Sequence, residues 1–233
     1  MAGLLLASFL LASCKKEEKV VVPEVFRVKF ETSQGDIVVE ANRAWSPRGV
    51  DRFHELVRMG YFRENRFFRV VKGFVAQFGV HRDYDIHAKW REYFILDDPR
   101  KESNVRGTLA FAQSGPNTRA TEIFINLGDN SKLLDEQNFA PFAKVVEGMD
   151  VVDKLYSGYG EMRPEGKDID PGRVENATNA YLVPRFPKMD FRFPILGSRP
   201  QPMTRCIPKK TNTMLKRDEI QKKRESFLPL LPK

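Results

Sequence analysis

The chain is poor in the residues on which much small-domain chemistry is built. Among its 233 residues are two cysteines, Cys14 and Cys206, and three histidines. Two thiols at opposite ends of a chain cannot build a disulfide framework or a four-ligand zinc site, and no bridge between them is expected. His54, His81 and His87 are scattered. His81 and His87 lie near Asp83 and Asp85 and are read as solvent-exposed loop residues rather than metal ligands. There is no G-x-S-x-G, no P-loop, no G-x-G-x-x-G opening a helix and no H-E-x-x-H. No internal repeat is visible, and no apolar run is long enough to span a bilayer as a helix. An enzyme built on this inventory, with no metal and no cofactor expected, would have to work by positioning and electrostatics.

Charge is present in excess, with 39 Lys and Arg against 31 Asp and Glu, a formal net charge of +8. A basic protein suggests a nucleic-acid or anionic-membrane partner. The distribution argues otherwise. Residues 2–190 carry 28 basic and 28 acidic side chains, whereas residues 191–233 carry 11 basic and 3 acidic. The whole excess belongs to the last 43 residues, so the expectation is a neutral domain with a basic appendage and no nucleic-acid partner.

Both ends read as appendages. Gly3 to Ala12 is a short apolar run with the length of a signal-peptide core. It ends in Leu11-Ala12-Ser13-Cys14, which resembles the bacterial lipobox, where the cysteine is lipidated and becomes the new N-terminus. No Lys or Arg precedes the run, so the usual basic start is missing; an ordinary cleaved signal or a plain apolar start are the alternatives. The lipobox reading makes residues 1–14 a lipoprotein signal and residues 15–25 a charged linker. It puts the protein in the bacterial cell envelope, anchored at Cys14 and facing the periplasm, or secreted there if Cys14 is not lipidated. Residues 191–233 contain six prolines and are read as a mostly disordered tail.

The 165 residues between, 26–190, carry the fold signals. Phe26 to Thr32 alternates apolar and polar, Ser33-Gln34-Gly35 is turn chemistry and Asp36 to Ala41 alternates again, predicting a hairpin. Ser46-Pro47 predicts a helix start, Val50, Phe53, Leu56 and Val57 follow at helical spacing, and Gly60 predicts the stop. Strands are predicted over 66–71, 74–78, 108–112, 122–126 and 142–146, and a second short helix over 150–156. Many short strands with two helices point to a barrel with helices available to cover its ends.

One stretch carries function. Phe67-Phe68-Arg69-Val70-Val71-Lys72-Gly73-Phe74-Val75-Ala76-Gln77-Phe78-Gly79 resembles the cyclophilin signature F-H-R-x-x-x-G-F-x-x-Q-x-G. Forty residues on, Phe111-Ala112-Gln113-Ser114-Gly115-Pro116-Asn117-Thr118 with Thr121-Glu122-Ile123-Phe124-Ile125 is similar to that family's second block, M-A-N-x-G-P-N-T then S-Q-F-F-I. Leu134-Asp135 with Phe139 to Met149 resembles the third, L-D then F-G-x-V-x-x-G-M. Three blocks in the right order and spacing identify residues 26–156 as cyclophilin-like. The resemblance implies a mainly β fold, a closed antiparallel eight-stranded barrel capped by two α-helices, and peptidyl-prolyl cis–trans isomerase activity on proline-containing polypeptides; with the N-terminal reading the clients are exported proteins, and a monomer is expected.

By resemblance Arg69 is the donor aimed at the prolyl nitrogen, and Gln77 orients it and hydrogen-bonds the substrate backbone. Phe74, Val75, Phe124, Leu134 and Phe139 line the proline socket, and Ala112 and Gln113 pair through their backbone with the residues before proline. The departures are Phe68 for histidine, Phe78 for glycine, Val75 for methionine, Gln113 for asparagine and Leu133 where a pocket-edge tryptophan often lies. Phe139 stands where many members have histidine. Glu122 replaces glutamine and brings a carboxylate near Arg69, either holding it or partly neutralising it. These changes keep open a second reading, a proline-peptide binding or chaperone module with weak or no catalysis.

Overall fold

The computed structural model describes residues 21–166 and 168–195. Cys14, Cys206, the apolar N-terminus and the tail beyond residue 195 lie outside them.

The chain opens on the expected hairpin, β1 (Val25–Thr32) against β2 (Gly35–Asn42), with Thr32 opposite Gly35. Gly35 has φ +131°, which favours glycine, and Thr32 Oγ1 donates to its carbonyl at 2.7 Å. Alternation sends Val28, Phe30, Ile37, Val39 and Ala41 into the core. Helix α1 (Pro47–Arg58) buries Val50, Phe53, Leu56 and Val57 and ends at Gly60, whose φ is +71°. Its first turn departs from expectation. Ser46 sits at the N-cap but does not cap with its own oxygen. Its hydroxyl donates to Asp98 at 2.6 Å, and the Asp98 carboxylate accepts from the backbone N–H groups of Arg48 and Gly49.

Then come β3 (Asn65–Arg66), β4 (Arg69–Val70), β5 (Val75–Phe78), α2 (Tyr84–Trp90), β6 (Thr108–Phe111), β7 (Ile123–Asn126) and α3 (Ser131–Leu134). β8 (Pro141–Glu147), α4 (Met149–Asp153), α5 (Pro171–Arg185) and β9 (Phe191–Ile195) complete the chain. The nine strands form one antiparallel sheet in the order β3-β9-β1-β2-β8-β6-β7-β5-β4.

The closed eight-stranded barrel is thereby corrected. The sheet is not closed, and seven of its described strands are four residues or longer, while β3 and β4 have two residues each. The predicted strand over 66–71 explains the opening. It pairs with β9 as far as Phe67, whose N–H donates to Asp190 O, and then crosses to pair with β5 from Arg69. Two consecutive segments of one chain thus form the two edges of a curled sheet, and no hydrogen-bond ladder joins them. Phe67 points into the main core and Phe68 away from it.

The two-helix expectation is corrected as well: five helices occur among the described residues. α1 and α4 are the two anticipated, α4 being shorter than predicted. The region around His87 is α2, not a loop, and both His81 and His87 are buried. α2 has the Asp83 carboxylate capping the Ile86 N–H at 3.2 Å. α5 begins with Pro171 behind an Asp170 cap and is interrupted at Thr178, where φ is +46°. It packs on α2 and, with Phe68, Val80, Ile169, Phe186 and Met189, forms a second core on the outside of the sheet. The main core lies inside the curl, around Phe30, Phe53, Phe62, Phe78, Phe111 and Phe142. Residues past Asp190, assigned to the tail by the sequence, supply β9 beside β1.

Candidate active site

The site lies on the outer face of β4, β5, β7 and β6. Arg69 pairs with Gln77, Gln77 with Phe124 and Phe124 with Ala110, one residue from each strand. Directly opposed residues of an antiparallel sheet share a face, so these four side chains form one row. Two residues along, on the same face, come Val75 on β5 and Ala112 just past β6. Their neighbours Ala76, Phe78, Leu109, Phe111, Ile123 and Ile125 point the other way, into the main core. A strict period of two therefore separates packing residues from site residues within the same strands.

The row makes a small apolar cluster. Val75, Ala110, Phe124 and Leu134 are buried together, with Phe74, Ala112 and Phe139 packed against them. The Phe139 ring stands edge-on to Phe124 with centroids 5.6 Å apart. Loops supply Phe74 and Phe139, the end of α3 supplies Leu134, and buried amides pin the two loop residues. Asn130 donates to Phe74 O, and Asn104 donates to Phe139 O and to the Asp135 carboxylate, each at 2.8 Å. All five side chains expected to line the socket are thus brought together.

At one end of this cluster lies Arg69. Its Nη1 donates to Gln77 Oε1 at 3.1 Å, and its guanidinium stands 5.3 Å from the Phe74 ring centroid. Gln77 is buried, and its Nε2 donates to Glu122 Oε2 at 2.7 Å. Arg69, Gln77 and Glu122 therefore form a chain in which both ends of the amide are used. The carboxylate that pairs directly with Arg69 is another one: Glu161 accepts from Nε and from Nη2, each at 2.6 Å. The sequence reading missed Glu161, which lies 92 residues away and beyond all three sequence blocks. Nothing in the local pattern around it signals the contact.

A second half-buried carboxylate was also missed. Glu175 on α5 lies 3.1 Å from His87 Nε2 and 3.3 Å from Arg91 Nη1, and it also contacts Glu122. Burial alone would raise its pKa, but the hydrogen bonds with His87 and Glu122 and the Arg91 charge outweigh burial and bring it down to about 2. His87 Nδ1 meets the Tyr61 hydroxyl at 3.2 Å on its other side.

The remaining expected residues sit at the rim. Ala112 N–H donates to Glu122 O at 2.9 Å, and Gln113 Nε2 donates to Gln137 O at 3.0 Å. Leu133 is exposed on α3, beside the buried Leu134. Phe68 is spent on the second core rather than on the site. Among the described residues no group of three or more His, Cys, Asp or Glu side chains converges as a metal site. Chemically the arrangement offers an apolar socket with a fixed planar cation at its edge, and no nucleophile.

Known proteins are similar to this chain in sequence and fold. The family model for cyclophilin-type peptidyl-prolyl cis-trans isomerases matches residues 27–178. Peptidyl-prolyl cis-trans isomerase B of Escherichia coli K12 is 34% identical over 135 residues, covering 55% of this chain and 82% of that protein. A crystal structure of a cyclophilin-type isomerase from Cryptosporidium parvum superposes with a TM-score of 0.53 at 20% identity, covering 76% of this chain and 99% of that one. The same protein was crystallised in the presence of the dipeptide Ala-Pro, and that structure gives the same TM-score.

Proposed function

The chain belongs to the cyclophilin-type peptidyl-prolyl cis–trans isomerase family, and from that premise we propose that the cluster beside Arg69 is where Xaa–Pro bonds of exported polypeptides rotate. Resonance opposes rotation by roughly 18–20 kcal/mol. Unaided, an Xaa–Pro bond takes on the order of tens to hundreds of seconds. A turnover of about 10 per second requires about three decades of acceleration, or roughly 4 kcal/mol. No bond is made or broken. The transition state is a twisted amide that has lost conjugation, so its nitrogen regains a lone pair. A donor aimed at that nitrogen stabilises the twisted form over both planar forms.

The observation that carries this reading is the Arg69 guanidinium, tied to Gln77 at the edge of the Val75, Phe124, Leu134 and Phe139 cluster. The cluster would hold the proline ring by apolar burial. The backbone of Ala112 and Gln113 would hold the residues before it, leaving the amide beside the guanidinium. Arginine suits the role because its fork stays charged and planar. Ala-Pro present in the crystals of the Cryptosporidium relative agrees with a proline-containing partner. A coupled-protease assay on an Xaa–Pro peptide tests the reading. Arg69→Ala should lower kcat/KM by roughly 100- to 1,000-fold, the usual cost of one transition-state donor. Parent and mutant both running at the spontaneous rate would refute the enzyme reading and leave the alternative, a proline-peptide binding module, which the replacements Glu122, Leu133 and Phe139 motivate.

The same proposal extends to place. Leu11-Ala12-Ser13-Cys14 supports a lipoprotein tethered at Cys14 in the cell envelope, facing the periplasm. Among the described residues no helix is long and apolar enough to cross a membrane. Radiolabelled palmitate should enter the parent and be lost on Cys14→Ala; an unlabelled parent refutes the anchor.

A further inference from the structure

An arginine side chain carries about 2 kcal/mol of rotamer entropy, so a guanidinium on a strand end does not aim itself. It offers five N–H donors in one plane. In this protein three are directed by described side chains. Glu161 takes Nε–H and one hydrogen of Nη2, and Gln77 takes one hydrogen of Nη1. Two partners on two different edges fix the plane, where either alone would leave a rotation free. One hydrogen on Nη1 and one on Nη2 are left to point elsewhere.

Glu161 is itself held. Its Oε1 accepts from the Met162 N–H at 2.8 Å. Met162 bridges to Ile169, and the Arg163 N–H donates to Ile169 O at 2.9 Å. Ile169 is fully buried in the second core with Phe68, Val174, Tyr181 and Leu182. A C-terminal layer docked on Phe68, the residue next to Arg69, therefore delivers this carboxylate. We propose that Glu161 is a positioning residue for the isomerisation, holding the Arg69 guanidinium in the plane from which its remaining N–H groups reach the prolyl nitrogen. The inference rests on the isomerase reading. A proline amide is neutral, so what it requires of Arg69 is direction more than net charge. The nitrogen lone pair exists only in the twisted state, so a lost orientation acts on kcat and not on KM.

The test uses kcat and KM on an Xaa–Pro peptide for the parent and for Glu161→Ala, Glu161→Gln and Glu161→Asp. Thermal midpoints and solvent exchange of the Arg69 Nε–H in ¹H–¹⁵N spectra accompany them. Glu161→Ala and Glu161→Gln should lower kcat roughly 10- to 100-fold, the order of loss that misorientation produces, with KM held within about twofold. The thermal midpoint should stay put and the Nε–H should lose its protection. Glu161→Asp keeps the carboxylate and should recover part of the rate. A kcat at or above the parent's, a loss confined to KM, a loss that tracks a fallen midpoint, or an unchanged Nε–H overturns the proposal. Arg69→Ala separates the two levels. A parent no faster than Arg69→Ala refutes the isomerase reading and this role with it, whereas an active parent matched by Glu161→Ala refutes the positioning role alone.

Discussion

Asp98 has no exposed side-chain surface, yet it organises the start of a helix about fifty residues earlier in the chain. It accepts from the Ser46 hydroxyl and from two backbone N–H groups of α1, and it faces Arg119, which is also buried. Burial alone would raise its pKa; the Ser46 hydrogen bond, the Gly49 N–H and Arg119 more than compensate and lower it. Asp98→Ala removes a helix cap and leaves a buried arginine with one carboxylate fewer. Losing one partner of a buried pair costs roughly 3–5 kcal/mol. Urea denaturation should show a loss of that order, and one below about 1 kcal/mol would return Asp98 to the range of an ordinary surface charge. The sequence at Ser46-Pro47 correctly signalled where α1 begins. It could not signal that the capping oxygen belongs to Asp98, because capping needs an acceptor of the right geometry and not a neighbour in sequence.

At the scale of elements, the seam between α2 and α5 is ionic where most helix seams are apolar. His87 on α2 and Arg91 at its C-terminal cap meet Glu175 on α5, which also reaches Glu122. His81, just before α2, is buried and brought down to about 4 by that burial, against the pull of Asp83. These groups act in different pH windows. Glu175 titrates lower folded than unfolded, so its contribution is complete above about 4.5 and is lost as pH falls towards about 2. His81 is kept neutral when folded, so the unfolded chain takes up its proton first and stability falls from about pH 6.5 down to about 4. The thermal midpoint should therefore decline in two steps on acidification. His81→Asn should flatten only the upper step and Glu175→Gln only the lower; two variants with the parent's full profile would refute the assignment. Neither helix was legible beforehand. α2 spans seven residues and is held largely by its partner, and the Asp170-Pro171 start of α5 stands alone, without an uninterrupted apolar stripe behind it.

Across the whole molecule, the positive charge that dominates the composition has little part in the described fold: residues 2–190 balance to zero, and of the 11 basic residues beyond them only Arg192, in β9, lies among the described residues. The charge that matters to the proposed chemistry is Arg69, and it is paired. The hairpin, α1 and the strands of the site were readable from the amino acids, and Val75, Phe124, Leu134 and Phe139 from the family resemblance; Ala110 entered their cluster only with the structure. Strand alternation, turn glycines and helical spacing are properties of neighbouring residues, and the three sequence blocks hold the site strands and its loop wall in order. Tertiary structure decided the rest. It opened the sheet between Arg66 and Arg69, turned Phe68 outward as the anchor of a second core, and set Glu161 rather than Glu122 on the Arg69 fork. These are contacts between residues far apart in sequence. Their partners are chosen by how layers dock and where buried donors find acceptors, and that choice leaves no trace in the local pattern of either partner.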